Sequence, residues 1–167
     1  VHKASPNVSA EQRCEMIELA IKHQPKFVLN KIEIEKAGPS YTVETLELLK
    51  QQYFDDSLVL MMGTDAFVKF HSWHRWQDII KLVNIVIMHR PGEPVPIECN
   101  AGQIYSKHKV DGFTQQAGQM LDLEVTQLDI SSTKIRQQIA NGQSAEYLLL
   151  PCVMEYIKEQ ALYQPEK

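Results

Sequence analysis

The chain has 167 residues, 44% of them hydrophobic and 23% charged, with a formal net charge of −4. That is about one domain of chain with enough apolar material for a core, which excludes disordered and collagen-like classes. The acidic balance argues against a broad nucleic-acid-binding face, no apolar run approaches a membrane span, and the first residues match neither a signal nor a transit peptide. The expectation is a cytoplasmic protein without nucleic-acid or membrane partners, in which any anion is caught locally.

The three cysteines, Cys14, Cys99 and Cys152, include no C-x-x-C pair, which suits free thiols in a reducing compartment. The chain opens on the polar, loop-like Val1-His2-Lys3-Ala4-Ser5-Pro6. Ser9-Ala10-Glu11-Gln12 then has the form of a capping box ahead of an amphipathic helix carrying Met16, Ile17, Ala20 and Ile21. Phe27 to Ile34 alternates in part and reads as a strand closed by Gly38-Pro39. A second helix is expected from Val43 to Tyr53, with Thr42 as its cap and Leu46, Leu48 and Leu49 for a buried stripe.

Ser57 to Met62 is nearly continuous in apolar residues, as in a strand covered on both faces, and it ends at Gly63-Thr64-Asp65. Ligands of open parallel sheets sit beyond the carboxyl ends of strands, so a glycine that permits close backbone approach followed by a carboxylate suits a ligand there. The alternative is that Asp65 merely caps a helix from Ala66 to Phe70. His71-Ser72-Trp73-His74-Arg75-Trp76 packs four aromatic rings and a cation into six residues; such tryptophans serve a core or stack on a flat heteroaromatic ring. His71 and His74 lack a third ligand at a suitable spacing, so they read as a structural pair and not as zinc ligands.

After a helix from Asp78 to Leu82, Asn84 to Met88 is another buried strand. Pro91 cannot continue it, so Arg90 emerges at its carboxyl end. Residues 93 to 121 show no clear periodicity and read as a variable insertion. Leu123 to Leu128 alternates as a strand and feeds Ile130-Ser131-Ser132-Thr133-Lys134-Ile135-Arg136, which opens a helix that Gly142 stops.

Ser131 or Ser132 is the expected N-cap of that helix. Free N–H groups and the helix dipole favour an anion at such a start, the hydroxyls of Ser131 and Thr133 add donors, and Arg136 lies one turn further on. The reading is a phosphate site; the plain alternative is an ordinary cap and a solvated arginine. Ser131-Ser132-Thr133-Lys134 also fits the S-x-x-K of serine β-lactamases, but no S-D-N or K-T-G accompanies it. A last helix is expected from Pro151 through Val153, Tyr156 and Ile157 to Leu162. The alternation of helices and strands implies an α/β fold with a mostly parallel sheet and helices on both faces.

Taken together, Ser40-Tyr41-Thr42 with Thr45-Leu46, Gly63-Thr64-Asp65, Trp73 with Trp76, Arg90-Pro91-Gly92, Ile130 to Arg136, and Leu150-Pro151 with Tyr156-Ile157 form an ordered set. In this set the chain resembles bacterial nicotinate-nucleotide adenylyltransferases of the nucleotidyltransferase superfamily. The resemblance implies a single Rossmann-like domain over 1–167, transfer of an adenylyl group from ATP to nicotinate mononucleotide, and Mg2+ arriving with ATP.

The resemblance also distributes roles. Ser131, Thr133 and Arg136 would hold ATP phosphates; Tyr41 and Thr42 would meet the nicotinate carboxylate and Trp73 would stack on its ring. Asp65 and Arg90 would bind ribose and phosphate of the mononucleotide, Gly63 would allow close backbone approach, and His2 and Lys3 would border the same pocket. Related transferases acting on nicotinamide mononucleotide or pantetheine phosphate, and a non-catalytic nucleotide-binding module, are the alternatives.

The family's opening strand and Gly-x-Phe-x-Pro-x-His-x-Gly-His loop have no counterpart in these residues. No catalytic residue is therefore identifiable. The resemblance implies that Val1 falls about thirty to fifty residues into the family's pattern, one β-α-β unit, and that residues 1–167 alone have negligible activity.

Overall fold

Three apolar runs, Val59–Gly63 (β1), Asn84–His89 (β2) and Met120–Glu124 (β3), form a parallel sheet in the order β1-β2-β3. The computed structural model describes residues 8–36, 38–126, 128 and 130–164, which fall into two compact units. One spans residues 36–127; the other combines 1–35 with 128–167.

The sheet belongs to the first unit. β1 pairs with β2 from Val59↔Asn84 to Gly63↔Met88, and β2 with β3 from Ile85↔Met120 to His89↔Glu124. Parallel pairing demands crossovers, and helices supply them. Thr42–Gln52 (α3) precedes β1. Thr64–Phe67 (α4), a 3-10 turn at Phe70–Ser72 and Trp76–Leu82 (α5) lead to β2, and Asn100–His108 (α6) leads to β3. Val43, Phe67, Phe70, Ile79, Ile85, Ile87, Ala101 and Met120 are fully buried together and make the core. The architecture is the expected Rossmann-like α/β fold.

In the second unit, Ala10–Ile21 (α1) packs against Pro151–Glu159 (α8). Val8, Val153, Ile157 and Leu162 are buried between them, and the Tyr156 hydroxyl donates to Glu15 Oε2 at 2.6 Å. The capping box is present as expected: Ser9 Oγ accepts from Gln12 N–H at 3.2 Å, and Gln12 Oε1 accepts from Ser9 N–H at 3.0 Å. Ser132–Ala140 (α7) is stopped at Gly142, whose φ of +71° is a left-handed conformation that glycine takes without steric cost.

Several expectations need correcting. Phe27 to Ile34 is not a strand: Phe27 and Val28 are 64% and 84% exposed, and Ile32–Glu35 (α2) is a single helical turn. Asn30 Oδ1 accepts from Ile32 N–H at 2.9 Å, a local bond that starts the turn and competes with strand pairing. β1 is not covered on both faces among the described residues; Met62 is buried, but Met61 is 58% exposed at the sheet edge. Thr42 is the first helical residue of α3 and not its cap, and Leu48 faces outward while Val43 and Leu46 are buried.

The third strand begins earlier than expected, at Met120, and the segment read as an unpatterned insertion contains α6. Cys99 caps that helix, its sulfur accepting from Gly102 N–H at 3.4 Å. Buried Asn84 and Gln119 organise the rest. Asn84 Nδ2 donates to the Gln115 carbonyl at 2.8 Å, its Oδ1 accepts from Gln119 N–H at 2.9 Å, and Gln119 Oε1 accepts from the N–H groups of Thr114 and Gln115.

Candidate active site

Within the sheet unit, the carboxyl ends of neighbouring strands carry Gly63 and Arg90. Gly63 closes β1 opposite Met88, and exposed Arg90 follows β2 directly. A Cβ added at Gly63 would meet no atom within 4 Å, so the space over this backbone is open. Thr64 Oγ1 donates to the Met88 carbonyl at 3.3 Å and ties the two strand ends together. Asp65 is not a cap: α4 starts at Thr64 with Gly63 as N-cap, and the exposed Asp65 sits in its first turn.

The aromatic stretch supplies a wall. Trp73 is half-buried, its ring edge-on to Phe70 with centroids 5.6 Å apart, and Trp76 meets Phe70 at 6.0 Å. Phe70 is fully buried, so the core anchors both indoles. The two histidines have separate partners. His71 Nδ1 is 3.1 Å from the Val68 carbonyl and closes its own turn, whereas the His74 ring lies 4.4 Å from that of Tyr41. This contact joins the residue after Trp73 to the start of α3, where Tyr41 is the N-cap and Thr42 the first helical residue.

The N-cap residue of α3, Tyr41, makes no side-chain capping bond, in contrast to Ser9 at α1 and Ser131 at α7. Uncapped N–H groups at a helix start favour an anion. Arg75, in a left-handed conformation with φ +51°, braces the arrangement: its guanidinium is 2.7 Å from Glu47 on α3 and 2.9 Å from Asp78 on α5. These two hydrogen bonds hold its pKa above the ordinary arginine value. The structure thus brings Tyr41 and Thr42 together with the Trp73 segment, and Gly63 and Asp65 together with the Arg90 strand end.

In the second unit, Ser131 is the N-cap of α7 and its Oγ accepts from Lys134 N–H at 3.1 Å. A hydroxyl that accepts a bond still has its O–H to give. Arg136 Nη2 donates to Thr133 Oγ1 at 3.3 Å, so the guanidinium and the hydroxyls gather at one helix start, as the spacing predicts. His2 and Lys3 lie outside the described residues.

One cluster escaped sequence reasoning. His89 Nε2 is 3.6 Å from Asp122 Oδ2, Lys109 Nζ is 3.4 Å from Asp122 Oδ1, and the Tyr105 hydroxyl donates to the same oxygen. The Tyr105 bond, ahead of the Lys109 charge, holds the Asp122 carboxyl below its usual range. Burial first and Asp122 second push the Tyr105 phenol up. Reading β3 from 123 placed Asp122 outside the strand; the correct start would have shown a carboxylate in the sheet.

Comparison with known proteins agrees with this architecture. Residues 1–138 match the family model described as cytidylyltransferase-like. A probable nicotinate-nucleotide adenylyltransferase of Hydrogenovibrio crunogenus is 56% identical over 98% of this chain and 78% of its own length. One of Dechloromonas aromatica is 41% identical over 98% of this chain and 79% of that protein. The solved Plasmodium falciparum nicotinic acid mononucleotide adenylyltransferase complexed with NaAD shares the fold with a TM-score of 0.68, covering 93% of this chain and 75% of that one at 15% identity. The chain belongs to the cytidylyltransferase-like family, and within it to the nicotinate-nucleotide adenylyltransferases.

Proposed function

We propose that this protein transfers the adenylyl group of ATP to nicotinate mononucleotide, a step of NAD biosynthesis. A phosphate oxygen of the mononucleotide attacks the α-phosphorus of ATP, the new P–O bond completes nicotinate adenine dinucleotide, and pyrophosphate leaves with the electrons of the broken bond. The observation that carries this reading is the start of α3, where the N-cap Tyr41 makes no side-chain capping bond, joined to an aromatic segment by the Tyr41–His74 contact. A carboxylate takes the N–H groups at Tyr41 and Thr42 while its aromatic ring stacks on Trp73, whose core contact with Phe70 keeps the indole in place.

Asp65 and Arg90 take the ribose and phosphate, and the open space over Gly63 admits the nucleotide to the backbone. Ser131, Thr133 and Arg136 hold ATP phosphates, with charge-assisted bonds from the guanidinium. The family match runs through residues of both units, which supports their working as one nucleotidyltransferase domain in residues 1–167. Catalysis of this kind rests on positioning and electrostatic stabilisation more than on covalent chemistry.

A divalent ion, Mg2+ in our reading, accompanies ATP. Among the described residues no three His, Cys, Asp or Glu side chains converge as a cage; in our reading the ion is held by the ATP phosphates. No helix of the described residues is long and apolar enough to cross a membrane.

The test is pyrophosphate release by the full-length gene product with ATP and Mg2+, offering nicotinate or nicotinamide mononucleotide, alongside thermal shifts with each. Turnover and stabilisation should favour the acid. Equal response to acid and amide would remove the carboxylate reading of Tyr41 and Thr42.

A further inference from the structure

His89 ends β2 and is only 7% exposed. Its Nδ1 lies 3.0 Å from the carbonyl oxygen of Arg90. A carbonyl can only accept, so Nδ1 carries the proton and donates. The same carbonyl accepts from Glu93 N–H at 3.0 Å, with Pro91 second in the turn and Gly92 third at φ +76°, the pattern of a type II turn.

The other ring nitrogen faces Asp122 of β3, which the Tyr105 hydroxyl and Lys109 hold from α6 and its C-cap. Lys109 also sits 5.3 Å over the Tyr105 ring. The backbone joins in, with Val125 N–H donating to the His89 carbonyl at 3.0 Å. Among the described residues, the charged groups beside His89 in the chain and in register are Arg90 and the exposed Glu124.

A buried imidazole thus donates to the turn that presents Arg90, while its other nitrogen lies 3.6 Å from a carboxylate fixed in the sheet. We propose that His89, braced by Asp122, Tyr105 and Lys109, is a positioning residue that fixes the Arg90–Glu93 turn and thereby the hold of Arg90 on the mononucleotide. The second half of this role rests on the reading of Arg90 given above. His89 touches no substrate; it acts through the turn.

The test uses the full-length gene product and two variants. His89→Asn keeps an amide N–H near the position of Nδ1, whereas His89→Gln keeps one near Nε2 and leaves the Arg90 carbonyl without this donor. Hydrogen exchange at the Glu93 amide reads the turn without substrate; KM for nicotinate mononucleotide and for ATP reads the function.

His89→Gln should speed Glu93 exchange and raise the mononucleotide KM by about three- to tenfold, the scale of one hydrogen bond, with the ATP KM held within about twofold. His89→Asn should return both towards wild type. Glu93 exchange at the wild-type rate in His89→Gln, or equal exchange in the Gln and Asn variants, overturns the clamp. Arg90→Ala separates the two readings: if it leaves the mononucleotide KM unchanged while His89→Gln still speeds Glu93 exchange, the Arg90 role falls and the clamp on the turn stands. Should His89→Gln fail to fold, Asp122→Asn carries the same test, since it keeps an oxygen for Tyr105 and removes the charge facing Nε2; unchanged Glu93 exchange there overturns the clamp.

Discussion

Replacing Trp73 separates a core role from a stacking role. Truncating a fully buried Trp to Ala costs about 3 to 5 kcal/mol. Trp73 is half-buried and packs on the core with its ring edge-on to Phe70 at 5.6 Å, so Trp73→Ala should cost about 2 kcal/mol, of which about 1 comes from the aromatic pair. Trp73→Leu restores most of the apolar fill and should bring the loss down to about 1 kcal/mol. Neither variant can stack on a pyridine ring. Stacking on an aromatic side chain is worth about 1 to 3 kcal/mol, so both should raise the mononucleotide KM about tenfold while sparing the ATP KM. Urea unfolding measures the first quantity and initial rates the second. If Trp73→Leu recovers the mononucleotide KM together with stability, Trp73 is a core residue only and the plate for the ring lies elsewhere.

Gly63→Ala should fold with stability within about 0.5 kcal/mol of wild type, because the φ of −78° is ordinary and a Cβ meets nothing within 4 Å. Its turnover should nevertheless fall, and unimpaired turnover would show that nothing approaches this backbone closely. Asp122 predicts a pH dependence. Its folded pKa is depressed, chiefly by the Tyr105 hydrogen bond, so its stabilisation is present above the ordinary carboxylate pKa and is lost as pH falls through the lowered value. Urea midpoints of Asp122→Asn should therefore decline less than wild type below about pH 4, and parallel declines would mean the carboxylate is not held in this way. Tyr156 is pushed up to about 12 by its hydrogen bond to Glu15. Its contribution is present below the ordinary tyrosine pKa and lost as pH rises through about 12. Phenolate absorbance should lose that late step in Tyr156→Phe and show it earlier in Glu15→Gln; an unmoved step would assign it to another tyrosine.

Legibility in the sequence followed how local the determining physics is. The capping box at Ser9 and Gln12, the stop at Gly142, the buried run of β2 and the Ser131 cap are set by residues within a few positions of one another, and all were readable. Phe27 to Ile34 was misread because alternation measures a tendency to pair, whereas pairing needs a partner; the Asn30 bond to Ile32 N–H settled a turn instead. The end of the stretch from 93 to 121 was opaque because Gln115 and Gln119 are ordered by bonds to Asn84, some thirty residues away. The same distance effect hid the His89–Asp122 contact, which parallel pairing across α6 creates. The candidate ligands Tyr41, Gly63, Arg90 and Ser131 were legible as types at helix starts and strand ends, and Trp73 as part of the aromatic stretch. His74 was not, since only the folded α3 brings Tyr41 to it.

Three helix starts show why anions are assigned to some and not to others. At α1 the serine and the glutamine three residues on satisfy each other's backbone N–H groups, so a ligand would have to break an existing pair of bonds. At α7 Ser131 takes only the Lys134 N–H, retains its own O–H, and stands near a guanidinium already turned towards Thr133; charge is available, and a phosphate can use it. At α3 the Tyr41 side chain makes no capping bond, so it does not compete for the backbone donors beside the aromatic segment. A phosphate, with its full charge, gains most where a cation waits. A carboxylate on a flat ring gains most where neutral N–H donors and a stacking surface coincide. The proposed roles, ATP phosphates at α7 and the nicotinate carboxylate at α3, which the family resemblance implies, are in keeping with that difference in chemistry.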